Sequence, residues 1–263
     1  RGAPVRVYVR SHDKGRPFAD SGAEVAVGTF EDVGALTAAL RGVQGAFLMQ
    51  PNDFASDNFI AAGEQRARGY LAALNAAGRP PMVGLSSVGA HHESGNGPVA
   101  REHLFEGVFR DYPRATFVRP GYFMSNWANV LDTARGAGVL PTFLNPGQPL
   151  SMVAVSDIGA CIAETLLEAT SQRIIELAGP EDYTPDDVAT AIGTALGSRV
   201  QLAPGAPHGA IELFTQLGFS LHIAELVQEM YEAYAAGTMA FAGQPRRGRL
   251  ALADAVVAMV GQS

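Results

Sequence analysis

The 263-residue sequence has little of what would place it in several common functional classes. Its one cysteine, Cys161, shares a predicted helical face with Ile158, Ile162 and Leu166, which indicates core packing and no need for a disulfide. No apolar run approaches the roughly 18 residues of a membrane span. A net charge of −7 disfavours a nucleic-acid partner. No signal peptide is visible, so we expect a cytoplasmic protein that binds neither membranes nor nucleic acid.

The scarcity of lysine also excludes a mechanism. Many carbonyl reductases use a tyrosine followed four residues later by a lysine, whose charge lowers the pKa of the phenol. The only lysine is Lys14, and Arg10 stands four residues before it, so the sequence contains no such dyad. His91 and His92 are adjacent but have no partner cluster, and no metal site is predicted.

Short apolar runs alternate with helical segments along the first half of the chain. Alternation of this kind predicts right-handed βαβ units and an α/β fold, a doubly wound, Rossmann-like parallel sheet. A hydrophobic content of 47% is ample for its core. The predicted strands are Val5–Arg10, Glu24–Gly28, Gly45–Met49, Pro81–Ser86 and Thr116–Arg119.

We predict two parts, with residues 1–150 forming the sheet domain and residues 151–263 a small, mainly helical C-terminal lobe. Within the lobe, segments 150–155 and 173–177 are predicted to complete the sheet, with a helix between them capped by Ser156. Residues 211–239 are predicted to be almost wholly helical and to pack over the ligand edge of the sheet. A substrate-covering lobe and a plain structural cap both fit this pattern.

Residues 116–126, TFVRPGYFMSN, are the most informative stretch. An apolar strand runs into Arg-Pro-Gly, where proline ends the strand and glycine permits the reversal that follows. In open α/β sheets such a turn lies outside the carboxyl end of the strand, where ligands bind. The sequence therefore predicts part of a site here.

Other strand ends carry further candidates. At the end of the first predicted strand, Arg10 and Lys14 suit the 2′-phosphate of NADP, with a solvated basic turn as the alternative. Ser86 has a hydroxyl that suits a nicotinamide amide or a substrate carbonyl, unless it only caps its turn. In the next helix, His103 is a candidate proton donor near neutral pH, although a surface imidazole is the commoner situation. Arg101 and Glu106 could equally form an exposed helix pair.

Several motifs in this order resemble one family. They are Gly28 after a strand, Gly45–Pro51 (GAFLMQP), Ser86–Ala90 (SSVGA), Val118–Asn126 (VRPGYFMSN) and Val155–Gly159 (VSDIG). Together they resemble the NmrA-like, atypical branch of the short-chain dehydrogenases/reductases, over nearly the whole chain. The resemblance implies a Rossmann sheet that binds NAD(P)(H), with NADP(H) favoured over NAD(H), and a cleft towards the C-terminal lobe. By position, it places Arg10 and Lys14 at the adenosine phosphate, Gln50 and Pro51 at the ribose, and Ser86, Gly121, Tyr122 and Phe123 at the nicotinamide.

The chain departs from the family at three places. Arg101 falls where several relatives carry a catalytic or nicotinamide-contacting lysine, and arginine does not readily release a proton. Thr29 and Phe30 stand where relatives have an adenine-contacting aspartate. The first strand and its glycine-rich turn are missing, which predicts either an incomplete chain or a rebuilt sheet in which Val5–Arg10 pairs directly with Gly45–Met49.

The leading hypothesis is an NAD(P)H-dependent oxidoreductase that transfers hydride directly to a quinone-like or other conjugated small molecule. Such an acceptor suits a site without the tyrosine-lysine dyad, because the reduced phenolate is a stabilised anion. Tyr122, Phe123 and Trp127 could stack on a flat substrate. The alternative is a non-catalytic NAD(P)-sensing regulator, and a third option is a protein that binds no nucleotide. A homodimer and a monomer both remain open.

Overall fold

The computed structural model describes residues 2–168 and 170–261. Its strands, numbered in chain order, are β1 (Arg6–Val9), β2 (Glu24–Val27), β3 (Ala46–Leu48), β4 (Met82–Leu85), β5 (Ala115–Pro120), β6 (Tyr122–Phe123), β7 (Val139–Thr142), β8 (Met152–Val153), β9 (Ile174–Ala178), β10 (Gln201–Pro204) and β11 (Arg246–Arg247). Its helices are α1 (His12–Asp20), α2 (Val33–Leu40), α3 (Phe59–Ala76), α4 (Ala100–Val108), α5 (Leu131–Ala137), α6 (Val155–Leu167), α7 (Pro185–Leu196), α8 (Ala210–Gln216), α9 (Leu221–Ala235) and α10 (Leu252–Gly261). This element order confirms the predicted α/β class.

The main sheet is wholly parallel, with the strand order β11-β9-β5-β4-β3. All six residues of β5 are buried, as expected for a central strand covered on both faces. Phe117 points to the face covered by α3 and α4, where Tyr70 and Phe105 pack against it. Val118 points to the opposite face, where α6 supplies Cys161. The predicted core position of this cysteine is confirmed.

Strands β1 and β2 form a separate parallel pair. Side chains join this pair to helix α3, because the ring of Phe30 lies 6.1 Å from both Tyr8 on β1 and Tyr70 on α3. Helix α2, which follows β2, packs along α3. In the described residues no ladder joins β1 to β3. The expectation that Val5–Arg10 pairs directly with Gly45–Met49 is therefore wrong for this structure.

The two strands predicted to complete the sheet behave differently. β9 joins the main sheet between β5 and β11, which confirms the prediction for residues 173–177. The prediction for residues 150–155 is wrong, since β8 pairs with β6 instead. The chain turns at Gly121, and the Tyr122 amide then donates to the Ser151 carbonyl. Ser156 does not cap the next helix, because α6 begins one residue earlier and its N-cap, Ala154, makes no side-chain bond.

Residues 211–239 are mostly helical, as predicted, and they form two helices, α8 and α9. Gly218, with a φ of 87°, lies in the turn between α8 and α9, and Ser220 caps α9. The Phe219 ring stacks on Phe54 at 4.5 Å, and the Ser220 amide donates to the Phe54 carbonyl. Since Phe54 follows β3, this hairpin covers the carboxyl end of that strand.

Candidate functional site

The carboxyl ends of the main-sheet strands lie along one edge, and several predicted site residues follow these strands, whereas Arg10 follows a strand of the separate β1–β2 pair. Arg10 follows β1, Gln50 lies two residues beyond β3, and Ser86 follows β4 directly. The loop after β4 runs beside β5, because the Val88 amide donates to the Pro120 carbonyl. Ser86 and the turn at Gly121 are therefore neighbours, as open α/β sheets require of a shared ligand edge.

Arg10 and Lys14 are exposed at the start of α1. The hydroxyl oxygen of Ser11 caps this helix by accepting from the Lys14 amide at 3.4 Å. Across residues 2–168 and 170–261, neither cationic side chain has a hydrogen-bonding or ionic partner. Both charges are free to meet an anion.

Gln50 and Pro51 are fixed by neighbouring helices. The Gln50 amide is buried, donates to the Gly63 carbonyl at 3.0 Å, and accepts from Arg66 at 3.2 Å. The Pro51 carbonyl accepts from Arg101 at 3.1 Å. The end of β3 is thereby tied to both α3 and α4, and the Gln50 side chain already has partners for its amide nitrogen and its oxygen.

Arg101 is buried between α3 and α4. Its guanidinium donates twice to Glu102 Oε1, at 2.6 and 3.0 Å, and lies 4.3 Å from the centre of the Phe59 ring. A Cβ atom on Gly63 would come within 2.4 Å of the Arg101 side chain, so only glycine leaves room for it. The structure thus packs Arg101 as a structural cation, with Asn52 Oδ1 as a further acceptor at 3.3 Å.

Glu102 is the buried partner of this cation. Its Oε2 is shielded from solvent and has no hydrogen-bond partner within the described residues. Burial raises the pKa of the Glu102 carboxyl, although the Arg101 guanidinium opposes that shift, and Glu106 adds to it. A buried carboxylate destabilises the folded state unless a cation pairs with it, and Arg101 is that cation here.

A second buried pair lies one turn further along α4. The Arg119 guanidinium, from β5, donates to both oxygens of Glu106, at 2.8 and 2.6 Å. The Ser86 hydroxyl donates to the same carboxylate at 2.5 Å. Arg119 also lies 3.9 Å from Glu176 on β9. Because its proton is committed to Glu106, Ser86 can only accept a hydrogen bond from a ligand.

Three histidines lie in or against the loop after β4, namely His91 and His92 within it and His103 on α4. His103 Nδ1 lies 3.0 Å from the Ala90 carbonyl, so Nδ1 carries the proton and Nε2 stays available. The rings of His91 and His92 lie 3.9 Å apart. Burial lowers the pKa of His91, and His92 and Arg119 lower it further, which favours a neutral imidazole.

The turn after β5 requires its glycine. A Cβ atom on Gly121 would lie 2.0 Å from the Ser151 carbonyl oxygen. The close approach points Tyr122 into an aromatic group, with Trp127 and Tyr234 each 5.9 Å away between ring centres. Burial raises the pKa of the Tyr122 phenol well above its ordinary value, so this hydroxyl stays neutral at physiological pH.

A cavity of about 200 Å³ opens beside Tyr122. The residues that line it come from the loops after β4 and β9, from β6, from the segment before β8, and from the end of α9 and the chain after it: Val88, Tyr122, Gln148, Pro149, Leu150, Ser151, Asp182, Tyr234, Gly237, Met239, Ala240 and Phe241. Its lining mixes aromatic side chains such as Tyr122, Tyr234 and Phe241 with polar ones such as Gln148, Ser151 and Asp182, and small-molecule pockets also combine such groups. We call this cavity the acceptor pocket.

Other features of the described residues do not converge on this edge. A wider groove of about 920 Å³ lies between α7 and β10, and none of the predicted site residues lines it. Within the described part of the chain, no three or more histidine, cysteine or acidic side chains come together as metal ligands. No described helix is long and apolar enough to cross a membrane.

Sequence reasoning missed the charges beneath the site. Arg119 interrupts an apolar strand, and a cation within a buried strand indicates a buried anion nearby. Glu106 and Glu176 are those anions, and they come from residues 13 before and 57 after Arg119 in the chain. No sequence signal identified Met239 and Phe241 as pocket residues.

The fold and this edge together define a Rossmann-like α/β protein with a ligand edge at the carboxyl ends of its strands. The chain belongs to the NmrA-like family, whose model matches residues 1–242. The family resemblance drawn from the motifs is confirmed.

Individual relatives and solved structures are similar over most of the chain. An NAD(P)H azoreductase from Xenophilus azovorans is 25% identical over 87% of this chain and 78% of its own. An NADPH-dependent quinone oxidoreductase from Escherichia coli, solved with NADPH, has a TM-score of 0.81 at 20% identity, covering 98% of this chain and 92% of that one. The Citrobacter sp. triphenylmethane reductase with NADP(H) has a TM-score of 0.79 at 19% identity, with the same coverage. These structural matches show the shared fold.

Proposed function

We propose that the protein is an NADPH-dependent oxidoreductase that transfers hydride to a quinone-like or other conjugated small molecule. The observation that carries this proposal is a pair of features: two exposed, partner-free cations follow β1, and a pocket lies beside the aromatic turn that follows β5. The names of the similar proteins, an azoreductase, a quinone oxidoreductase and a triphenylmethane reductase, support it. All three names denote reduction of conjugated molecules.

The residues present fit a phosphorylated dinucleotide. Arg10 offers a planar fork to a 2′-phosphate, and Lys14 adds a second charge one turn further on, which favours NADP(H) over NAD(H). Ser86 can accept from a carboxamide N–H, since its own proton is held by Glu106. Gln50, Pro51, Gly121 and Phe123 complete the proposed cofactor edge. The bound cofactor would supply hydride.

The acceptor pocket would orient a flat ring against Tyr122 and Phe241, with Met239 excluding water. A reduced quinone is a stabilised anion, so the site needs little general-acid help. Of the two residues predicted to be catalytic, His103 keeps Nε2 available for a proton transfer, because its Nδ1 is held by the Ala90 carbonyl. We assign Arg101 a positioning role, because its guanidinium already contacts Glu102, Pro51 and Asn52.

The test measures NADPH absorbance over time in mixtures of the full chain with quinones of one, two or three rings. Oxidation of NADPH that depends on both protein and quinone supports the proposal. Binding of NADPH, seen as a change in its fluorescence, without turnover of any acceptor would instead favour a nucleotide-sensing regulator. No fluorescence change on titration would favour a protein that does not bind the nucleotide.

A further inference from the structure

Residues 237–250, which we call the strap, leave α9 and cross the ends of the strands before α10 begins. Three strap residues, Met239, Ala240 and Phe241, form one wall of the acceptor pocket. Met239 is buried against the loop after β4, since a Cβ atom on Gly89 would lie 2.7 Å from its sulfur. The strap therefore sets the width of the pocket.

The upstream end of this wall is fixed by α9. The Thr238 amide and hydroxyl both donate to the Ala233 carbonyl, at 3.0 and 3.1 Å. The far end of the strap is fixed elsewhere: β11 pairs with β9, and Asp157 Oδ2 accepts from the amides of Arg249 and Leu250 at 2.8 and 3.0 Å. Neither anchor holds the residues directly after Phe241.

Glu176 holds those residues. Its two oxygens accept from the amides of Ala242 and Gly243, each at 2.8 Å. Among the described residues these are the only hydrogen bonds that residues 241–245 make. The Glu176 side chain is 9% exposed and lies 3.9 Å from the Arg119 guanidinium, so it is a buried, charge-assisted clamp.

The size of the pocket limits what can enter. A closed apolar cavity of about 150 Å³ holds a benzene ring, so a pocket of about 200 Å³ has room for one ring with substituents or two compact fused rings. A larger acceptor can lie wholly within the pocket only if the wall at Met239 and Phe241 moves away from Tyr122. That displacement requires residues 242 and 243 to leave Glu176.

We propose that Glu176 is a specificity-determining residue, which clamps the strap over the acceptor pocket and restricts the protein to acceptors of one or two rings. The inference deepens the proposed function and rests on it for the reaction. Glu176 does not touch the acceptor, so its role is to position the wall.

The test compares Glu176→Gln with wild type in the full chain. Glutamine keeps the shape but turns an N–H donor towards one of the two strap amides, so one hydrogen bond is lost and two donors face each other. We expect faster hydrogen exchange in residues 239–244. We also expect KM for a three-ring quinone sulfonate to fall relative to KM for benzoquinone by about tenfold, the scale on which pocket contacts alter discrimination, while kcat changes little.

The matched control is Asp157→Asn, which damages the same kind of carboxylate clamp away from the pocket wall. We expect faster exchange at residues 249 and 250 and unchanged acceptor selectivity. An equal selectivity shift in Asp157→Asn would overturn the proposal, and so would faster exchange at 239–244 in Glu176→Gln without any shift. If Glu176→Gln does not fold, Ala242→Pro removes one exposed amide donor and leaves the Glu176 charge in place, and the same selectivity shift is required of it.

A second readout separates this inference from the proposed function. Trp127 is the only tryptophan and lies 5.9 Å from Tyr122, so quenching of its fluorescence reports acceptor binding without nucleotide. If wild type reduces no quinone, the proposed function fails, while quenching by the one-ring and three-ring quinones still measures selectivity. Equal affinities of wild type and Glu176→Gln for the three-ring quinone would then refute the clamp.

Discussion

Replacing Arg101 by methionine tests whether this residue is structural or chemical. The substitution keeps much of the aliphatic packing against Gly63 and Phe59 but leaves the Glu102 carboxylate with no cation. Both side chains of the pair are nearly excluded from solvent, at 7% and 10% exposure. Removing one partner of a buried pair costs about 3–5 kcal/mol, and we expect a loss in that range.

The assay is urea unfolding followed by circular dichroism and by Trp127 fluorescence. The double variant Arg101→Met with Glu102→Gln should be more stable than Arg101→Met alone, because glutamine removes the uncompensated charge. The matched control is Arg68→Met, which breaks an exposed pair with Glu64 on α3 and should cost less than about 0.5 kcal/mol.

A loss below about 1 kcal/mol for Arg101→Met would refute the structural reading, because it would mean that Glu102 finds another partner or stays hydrated. A stable variant with greatly reduced turnover at saturating NADPH would show that Arg101 takes part in the chemical step. These two outcomes separate the positioning role from the catalytic role that the sequence suggested.

Three further predictions follow from the same geometry. Arg10→Glu should reduce the preference for NADP over NAD by about 10-fold or more, measured by fluorescence titration of both nucleotides. If the ratio of the two affinities is the same in the variant as in wild type, Arg10 does not bind the phosphate. Gly121→Ala should lower the unfolding free energy by about 1–3 kcal/mol because its Cβ meets the Ser151 carbonyl, whereas Gly136→Ala, which meets nothing within 4 Å, should be neutral or stabilising in urea. The raised pKa of Glu102 means that the folded state holds its proton at higher pH than the unfolded chain, so stability falls as pH rises from the ordinary glutamate range to the folded-state pKa. Glu102→Gln should flatten this part of the pH profile of the denaturation midpoint, and an unchanged slope would show that Glu102 does not titrate as inferred.

The sequence predicted the sheet best where burial is complete. Strands β4 and β5 appear in the sequence as short apolar runs bounded by turn residues, and Ser86 and Gly121 directly follow their carboxyl ends. Likewise, the start of α7 carries a local sequence signal, because Thr184 and Asp187 form a capping box and Pro185 occupies the first helical position. These signals depend only on residues that are neighbours in the sequence, so they can be recognised without knowledge of the tertiary structure.

Prediction failed where the partner is distant in the chain. Residues 150–155 read as a strand, but only the reversal at Gly121 decides that β8 pairs with β6. Arg101 read as an exposed helix residue or a substituted lysine, because its burial depends on Gly63 in another helix. The strap carries no periodic signal, and its carboxylate clamps come from β9 and α6. Each of these contacts is set by packing rather than by neighbouring residues.

The buried charges alternate in sign from the loop after β3 to the strap, with a single exception. Arg101 contacts the loop after β3 and pairs with Glu102, while Arg119 pairs with Glu106 and lies beside Glu176, which holds the strap. The exception is the adjacent Glu102 and Glu106, whose repulsion contributes to the raised pKa of Glu102. Because Glu106 and Glu176 share Arg119 while Glu102 pairs with Arg101, removing Arg119 should release the strap and Ser86 together, whereas removing Arg101 should loosen only the loop after β3. Hydrogen exchange in residues 239–244 distinguishes the two: we expect it to rise in Arg119→Met and to stay unchanged in Arg101→Met, provided both variants fold, and equal effects would show that the row acts as a single unit.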